Sequence, residues 1–185
     1  MTTDMKGFGL ELRPWTADDA PTFLRGVTDP EFTRWNTPLK PVTDLAGAIE
    51  KITARTDARE RDEAVAFAVC DEATGEIVGD VGLQLIFRAM RRCTVGYWTL
   101  PEHRGKGVAS RALELCSRWA FEQGGLHRIE LGHAVENTGS CAVAGRAGYE
   151  YEGTLRGSMF EAGNKGAFRD EHLHARLATD PYREM

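Results

Sequence analysis

The sequence lacks any hydrophobic stretch long enough to cross a membrane. No window of its 185 residues approaches the roughly 20 consecutive apolar residues that a spanning helix requires. The first fifteen residues, MTTDMKGFGLELRPW, also lack the apolar segment of about 7–15 residues that marks a secretory signal. We therefore expect a cytoplasmic protein with no membrane partner.

An excess of positive charge is also absent. Lys and Arg total 23 against 28 Asp and Glu, which gives a formal net charge of −5 and an isoelectric point near 5.6. Such a balance does not attract the phosphate backbone of DNA or RNA. We therefore expect no nucleic-acid partner.

Closely spaced cysteines are missing as well. The four cysteines lie far apart along the chain, at Cys70, Cys93, Cys116 and Cys141. Their spacing matches neither a zinc-binding pair nor a disulfide framework. We therefore expect four free thiols.

The composition that is present is that of one folded domain. Hydrophobic residues make up 42% and charged residues 28% of the chain, close to the average for globular proteins. We expect a single domain over residues 1–185, of mixed α/β class. The periodicity predicts a short helix from Ala20, helices over 45–60, 107–123 and 138–147, and strands over 8–15, 64–70, 77–87, 93–100, 127–135, 149–161 and 167–177.

A short glycine-rich segment between a predicted strand and a predicted helix carries the strongest chemical signal. Gly105 and Gly107 let the backbone curl so that successive N–H groups face one point, and the following helix adds its unpaired N–H groups. Arg104 and Lys106 place two positive charges beside them. The segment therefore predicts a binding site for a phosphate or pyrophosphate.

Two common phosphate-binding loops do not fit this segment. No run of the form G-x-x-x-x-G-K-[ST] occurs in the chain. The dinucleotide fingerprint G-x-G-x-x-G fails because Ser110 stands at its third glycine position, and because the loop follows a predicted antiparallel meander and not the first strand of a parallel unit.

The loop Arg104-Gly105-Lys106-Gly107-Val108-Ala109 resembles the R/Q-x-x-G-x-G/A motif of the GCN5-related N-acetyltransferases. Further similarity lies in Gly96-Tyr97-Trp98, in Glu136–Ser140 and in Ala147–Gly153 with Arg156. Together these motifs are similar to the branch that acetylates the N-termini of ribosomal proteins. The resemblance implies a mixed, mostly antiparallel seven-stranded sheet, splayed between its fourth and fifth strands, with helices on both faces.

The same resemblance implies where acetyl-coenzyme A binds as cosubstrate, without a metal. The pantetheine arm lies in the gap of the sheet and uses strand backbone groups as if it were another strand. The pyrophosphate lies on the loop amides, Asn137 bonds the pantetheine amides, and Arg146 reaches the nucleotide end. The cofactor-binding residues are then Trp98, Thr99, Leu100, Arg104, Gly105, Lys106, Gly107, Val108, Ala109, Asn137 and Arg146.

Acetyl transfer needs a neutral amine, a polarised carbonyl and a proton for the departing thiolate. By resemblance, Ser140 is placed to protonate the coenzyme A sulfur, and a strand amide near Leu100 polarises the carbonyl. A serine in the first helical turn that only bonds backbone is the alternative.

The base is harder to assign, because relatives carry acidic residues where this chain has Thr94, Val95 and Met159. Glu161 is the nearest substitute for Met159 on the same strand face. Glu136 and a water relay are the alternatives.

Three further groups are open to more than one interpretation. His172 and His174 share a strand face, but no third ligand follows at a recognisable spacing, so we expect no metal. His133 is either a packed strand residue or a base facing the acceptor. Phe32 and Trp35 either pack in the core or cover the acceptor pocket.

Three functions remain open at this point. The first is acetylation of a protein or peptide α-amine, and the second is the same reaction on a small amine. The third is a coenzyme A-binding sensor without turnover. The resemblance, together with apolar residues around Tyr149, Tyr151 and Leu155, also indicates a homodimer.

Overall fold

The computed structural model describes residues 5–185, which form one sheet with helices on both faces. Five helices are present, namely α1 (Ala20–Thr28), α2 (Pro30–Trp35), α3 (Leu45–Glu60), α4 (Val108–Glu122) and α5 (Thr138–Arg146). The strands are β1 (Met5–Gly7), β2 (Leu10–Pro14), β3 (Val65–Asp71), β4 (Ile77–Phe87), β5 (Arg92–Thr99), β6 (Arg128–Ala134), β7 (Glu150–Glu161) and β8 (Asn164–Leu177). In the described part of the chain, no helix is both long and apolar enough to span a membrane.

The strand order is β1-β2-β3-β4-β5-β6-β8-β7. All neighbouring strands are antiparallel except β5 and β6, which run parallel. These two strands pair only from Arg92 with Arg128 to Thr94 with Glu130. Beyond this point they diverge, which opens a gap in the sheet at the carboxyl end of both strands.

The predicted architecture is confirmed, with one more strand than expected. Residues 8–15 do not form one strand, because Phe8 and Gly9 adopt positive φ angles of 56° and 72° and reverse the chain between β1 and β2. The sheet therefore has eight strands in the described residues, and the gap lies between the fifth and the sixth.

Helix α2 is the element that the periodicity missed. It is only six residues long, too short to show a repeating apolar face. Pro30 occupies its first turn, and the Asp29 side chain accepts hydrogen bonds from the amides of Glu31 and Phe32 at 3.0 and 3.3 Å. Both are ordinary signals of a helix start.

Alternating residues of β3 contact two separate apolar cores. Phe67 and Val69 belong to the core shared with α4, whereas Ala68 and Cys70 belong to the core shared with α1 and α3. Because successive strand side chains point to opposite faces, the sheet is covered on both sides. We call the side with α4 and α5 the cofactor face and the side with α1, α2 and α3 the acceptor face.

A fully buried ion pair fixes α4 to β8. The Arg176 guanidinium contacts the Glu114 carboxylate, and both side chains are 0% exposed. Arg176 also donates to the carbonyl of Ala147 at 2.9 Å, and the backbone N–H of Arg183 donates to Glu114 at 3.2 Å. These contacts satisfy two charges that would be costly to bury alone.

Candidate functional site

The gap between β5 and β6 is the mouth of a cleft of about 440 Å³. Its lining includes most of the residues that the sequence predicted, drawn from β5, the loop before α4, and α5. The predicted residues that line it are Trp98, Thr99, Arg104, Gly105, Gly107, Val108, Ala109, Asn137, Ser140 and Arg146. Leu100, Lys106 and Glu161 do not line it.

The loop before α4 has the backbone geometry of an anion site. Gly105 and Gly107 both have φ of +72°, and a Cβ at either would meet no protein atom within 4 Å. Gly107 is the N-cap of α4 and provides no side chain to occupy the first-turn amides. Those amides therefore face the open cleft together with the positive end of the helix dipole.

The two basic side chains of this loop are placed differently. The Arg104 guanidinium pairs with Asp29, and its Nε donates to the Thr99 carbonyl at 3.1 Å. Arg104 therefore ties the loop to the start of α2, and part of its charge is already compensated. Lys106 is exposed outside the cleft, so any contact between its ammonium and a phosphate is made at the rim.

The first turn of α5 brings a pair of hydroxyl groups into the cleft. Asn137 caps the helix, since its Oδ1 accepts from the Ser140 amide at 3.0 Å, which leaves its Nδ2 as the donor for a ligand. The Ser140 Oγ lies 2.7 Å from the Tyr97 hydroxyl. Burial raises the pKa of Tyr97 to about 12, so the phenol stays protonated at neutral pH. Tyr97, part of the quoted Gly-Tyr-Trp run, was not among the predicted site residues.

The backbone of β5 corrects the predicted role of Leu100. Its N–H donates to the Val78 carbonyl at 3.0 Å, and its side chain is 1% exposed, so this amide is not available to an acetyl carbonyl. Backbone groups alternate between the two edges of a strand. The N–H groups of Tyr97 and Thr99 therefore point away from β4 and into the gap.

On the acceptor face, α2 and the β7–β8 hairpin form the opposite wall. Phe32, Trp35 and Met159 line the cleft, so the early aromatic segment borders it. Arg169 is 9% exposed and donates to the Trp35 carbonyl at 3.0 Å, with its guanidinium 5.6 Å from the Trp35 ring centroid. This buried arginine holds α2 against the hairpin.

Glu161 lies farther from the cleft than the alternation of β7 predicted. A bulge between Phe160 and Glu161 interrupts the pairing with β8, so Glu161 does not share the position of Met159 relative to the cleft. Its half-exposed carboxylate lies 4.0 Å from Arg169. The alternative base, Glu136, is exposed and is also absent from the lining.

A different carboxylate, Glu171, lies beside the gap against a lining residue, although its own side chain is also absent from the lining. A Cβ built on Gly132, which lines the cleft, would fall 1.6 Å from the Glu171 Oε1, so this carboxylate lies directly against the Gly132 backbone. Glu171 and Arg169 are two residues apart on β8 and share the acceptor face. Ser158 donates to the Glu171 carboxylate at 2.5 Å. Strand pairing across the sheet, which the sequence does not give, brings Glu171 to this position.

His133 lies on the cofactor face, where it is buried at 4% exposed, as a packed strand residue is, and also lines the cleft; it does not lie on the acceptor face. His172 is its cross-strand partner on β8, and His174 stacks on it with ring centroids 5.2 Å apart. Burial lowers the pKa of His133 and of His174. Both rings are therefore neutral at pH 7.

A sheet opened between two parallel strands, with a glycine-rich anion loop at the start of the next helix, is the arrangement expected of a coenzyme A-dependent acyltransferase. The chain belongs to the GNAT acetyltransferase family, because the family described as an acetyltransferase (GNAT) domain matches residues 9–150.

Individual relatives agree with this assignment. An uncharacterized N-acetyltransferase p20 of Bacillus licheniformis is 31% identical over 147 residues, covering 80% of this chain and 82% of that protein. A ribosomal-protein-serine acetyltransferase of Escherichia coli is 30% identical over 102 residues, covering 55% of each chain. The solved structure of Mycobacterium smegmatis RimJ in complex with CoA-disulfide has a TM-score of 0.82 and 26% identity, covering 91% of this chain and 82% of that one. The chain is thus an acetyltransferase related to the ribosomal-protein acetyltransferases.

Proposed function

We propose that the protein transfers the acetyl group of acetyl-coenzyme A to the α-amine of a protein or peptide N-terminus. The observation that carries the proposal is the continuity of one cleft through the sheet, with a backbone anion site on the cofactor face and an aromatic wall on the acceptor face. Such a cleft lets the two substrates approach the same gap from opposite sides.

On the cofactor face, the pyrophosphate binds the amides of residues 105–109 and the start of α4. The pantetheine arm lies beside β5 and takes the N–H groups of Tyr97 and Thr99, as an added strand does. Asn137 donates to the pantetheine amides, and Arg146, which lines the cleft at the end of α5, meets the nucleotide phosphates. One of the two β5 amides polarises the acetyl carbonyl.

The amine attacks the thioester carbonyl, and the tetrahedral intermediate then collapses with release of the thiolate. Ser140 donates a hydrogen bond to the departing sulfur, and Tyr97 supports Ser140 at 2.7 Å. An ordinary thiol has a pKa of about 8.5, below the value of about 12 for Tyr97. The hydroxyl pair therefore stabilises the departing thiolate by hydrogen bonding without giving up its own proton, and the thiolate takes up the proton that the attacking nitrogen loses as the amide forms.

We assign the base to Glu171, because its carboxylate lies against Gly132 in the gap on the face that carries the acceptor wall. The carboxylate takes a proton from the acceptor ammonium, directly or through one water. Glu161 is assigned the lesser role of attracting the acceptor cation, since it is half-exposed beside Arg169.

The shape of the acceptor side favours a peptide. A second hollow of about 300 Å³ adjoins the cleft and shares Trp35, Asn36 and Met159 with it. Together they offer more space beside the gap than a single small amine fills. The named activity of the E. coli relative, a ribosomal-protein-serine acetyltransferase, supports a protein acceptor.

A thiol-release assay with acetyl-coenzyme A tests the proposal. The acceptors are peptides with free N-termini, the same peptides with acetylated N-termini, and small amines such as spermidine. We expect turnover with free N-termini and none with the blocked peptides. Turnover with small amines alone would establish the second function, and tight binding without turnover would establish the sensor.

As part of the same proposal, we place the reaction in the cytoplasm, since the four cysteines are free thiols of the kind that reducing compartments preserve. We also propose a homodimer through β7, an outer strand of the sheet with Tyr151 and Leu155 exposed. Tyr149 is excluded from that surface because it is 2% exposed and hydrogen-bonds Ser117 at 2.7 Å. Light scattering that shows only monomer contradicts the dimer.

A further inference from the structure

Four side chains with good metal-ligating atoms meet behind the cleft. His133 comes from β6, His172 and His174 from β8, and Cys141 from the first turn of α5. One ligand atom from each lies within 4.8 Å of the other three. Beside His172 and His174 the sequence shows no third ligand at a recognisable spacing, but pairing of β6 with β8 supplies His133, and α5 supplies Cys141.

The spacing of these atoms fits a small tetrahedral ion. The Nε2 atoms of His133 and His174 are 3.2 Å apart, and the Cys141 Sγ lies 3.9 Å from the His174 Nε2. With Zn–N of about 2.0–2.1 Å and Zn–S of about 2.3 Å, a tetrahedral zinc site places its nitrogens about 3.3 Å apart and its sulfur about 3.6 Å from each nitrogen. These two distances lie close to the tetrahedral values, and the remaining pairs, at up to 4.8 Å, come closer when the side chains rotate toward a shared ion.

We propose that His133, Cys141, His172 and His174 bind a divalent transition-metal ion, with zinc as the best match to the three imidazoles and one thiolate. Imidazole and thiolate ligands select zinc over magnesium or calcium, which prefer oxygen. The four ligands fill a tetrahedral shell, which is the arrangement of a structural site with no position left open for a reacting molecule.

Two further observations favour a metal. The Nδ1 of His133 is 2.8 Å from the Ala134 carbonyl, so Nδ1 carries the proton and Nε2 presents its lone pair to the cluster, as orientation by an outer hydrogen bond does in known sites. The Nδ1 of His172 is buried without a hydrogen-bond partner, which leaves on that ring an unsatisfied nitrogen that a bound ion can occupy.

A metal ion bound at this site would fix the positions of residues that line the cleft. Cys141 follows Ser140 directly, and His133 lines the cleft. An ion at this point ties the first turn of α5 to β6 and β8, and so holds Ser140 beside Tyr97.

Metal binding is measured on tag-free protein from which bound metal has been removed with a chelator and by dialysis. Acetyl-coenzyme A is left out, so that the result of the metal titration does not depend on the proposed acetyltransferase function. Zinc is titrated by calorimetry and cobalt(II) by absorption spectroscopy. The variants are Cys141→Ser and His172→Gln. The matched control is His103→Gln, because His103 with Glu76 and Glu102 is another group of clustered ligand atoms.

We expect one equivalent of zinc to bind with a dissociation constant below about 1 µM, well within the range of structural sites. Cobalt(II) should give a thiolate charge-transfer band that Cys141→Ser abolishes. His172→Gln should weaken zinc binding by at least about 100-fold, and His103→Gln should leave it within threefold. Circular dichroism of the apo variants checks that they fold.

The proposal is overturned if the folded wild-type protein binds zinc no more tightly than Cys141→Ser, or if His103→Gln alone removes binding. Cobalt(II) spectra of an octahedral ion without a thiolate band would overturn it as well. In those cases the cluster is a neutral hydrogen-bonded network between imidazoles and a thiol.

Discussion

The two sides of the cleft are built in different ways. On the cofactor side, the anion site is local: the loop and α4 are one continuous segment, and its ligand groups are mainly backbone amides. The acceptor side joins distant parts of the chain, since Arg169 contacts the Trp35 carbonyl across 134 residues and Thr37 contacts the Glu161 carbonyl across 124. The cofactor therefore binds to backbone groups that do not depend on side-chain identity. The acceptor contacts side chains, and these can be substituted without disturbing the anion loop.

The largest loss of activity is expected when the proposed base on the acceptor side is substituted. Glu171→Gln keeps an oxygen for the Ser158 hydroxyl but cannot take a proton, so kcat/KM should fall by about 100-fold or more. Glu161→Gln is the matched control and should raise the acceptor KM by less than about fivefold with kcat unchanged. The opposite ranking of the two variants would return the base to Glu161.

The next largest loss of activity is expected from the hydroxyl groups of the cofactor side, which act in the chemical step. Ser140→Ala removes the donor to the departing sulfur but leaves the anion loop intact. We expect kcat to fall by about 100-fold while the dissociation constant for acetyl-coenzyme A stays within threefold. Tyr97→Phe should cost about tenfold, because it acts through Ser140. Thr138→Ala on the same helical turn is the control, and a Ser140→Ala loss below about twofold contradicts the assignment.

The anion loop itself is tested by binding. Gly107→Val places a branched side chain where φ is +72° and where a pyrophosphate must approach the backbone. Calorimetry should show at least tenfold weaker binding of acetyl-coenzyme A, equal to about 1.4 kcal/mol. Gly125→Val is the matched control, because Gly125 has φ of +65° and equally open surroundings at the other end of α4. Equal affinities for both variants would disprove the loop assignment.

The smallest effect concerns stability near the start of α1. Burial alone would raise the pKa of Asp19, but hydrogen bonds from Arg13 and Thr16 outweigh it and lower that pKa. The ionised carboxylate therefore stabilises the fold at pH values above its unfolded pKa of about 3.9, and this stability is lost as pH falls through the lower folded value.

Asp19→Asn should lower Tm at pH 7 by about 2–4 °C, the shift expected for about 1 kcal/mol in a chain of this size. The difference from wild type should shrink in melts recorded at progressively lower pH. A difference that stays constant down to pH 2 would mean that the charge of Asp19 is not involved.

The contrast between the two sides also explains which features the sequence could reveal. Gly105 and Gly107 are adjacent to the helix that they serve, so their spacing alone predicted the loop. The β1–β2 hairpin was missed because Phe8, a residue without a turn preference, takes a positive φ.

The groups missed in the site depend on contacts between distant segments. Tyr97 and Ser140 lie 43 residues apart, and neither residue alone indicates the hydroxyl pair. Glu171 lies beside the gap only because β8 pairs with β6, and a bulge in β7 displaced Glu161. Strand order and bulges are set by packing of the whole sheet, which local periodicity does not encode.

The position of β8 between β6 and β7 has a consequence for synthesis of the protein. While the ribosome is still adding residues 164–177, β6 is an unpaired edge and β7 has no neighbour with which to form hydrogen bonds. The anion loop and α4 have already emerged, but Glu171, Arg169 and the buried Arg176 have not. The nascent chain therefore cannot complete its acceptor wall until this last strand inserts, and the unpaired edges before that moment are the stage most exposed to aggregation.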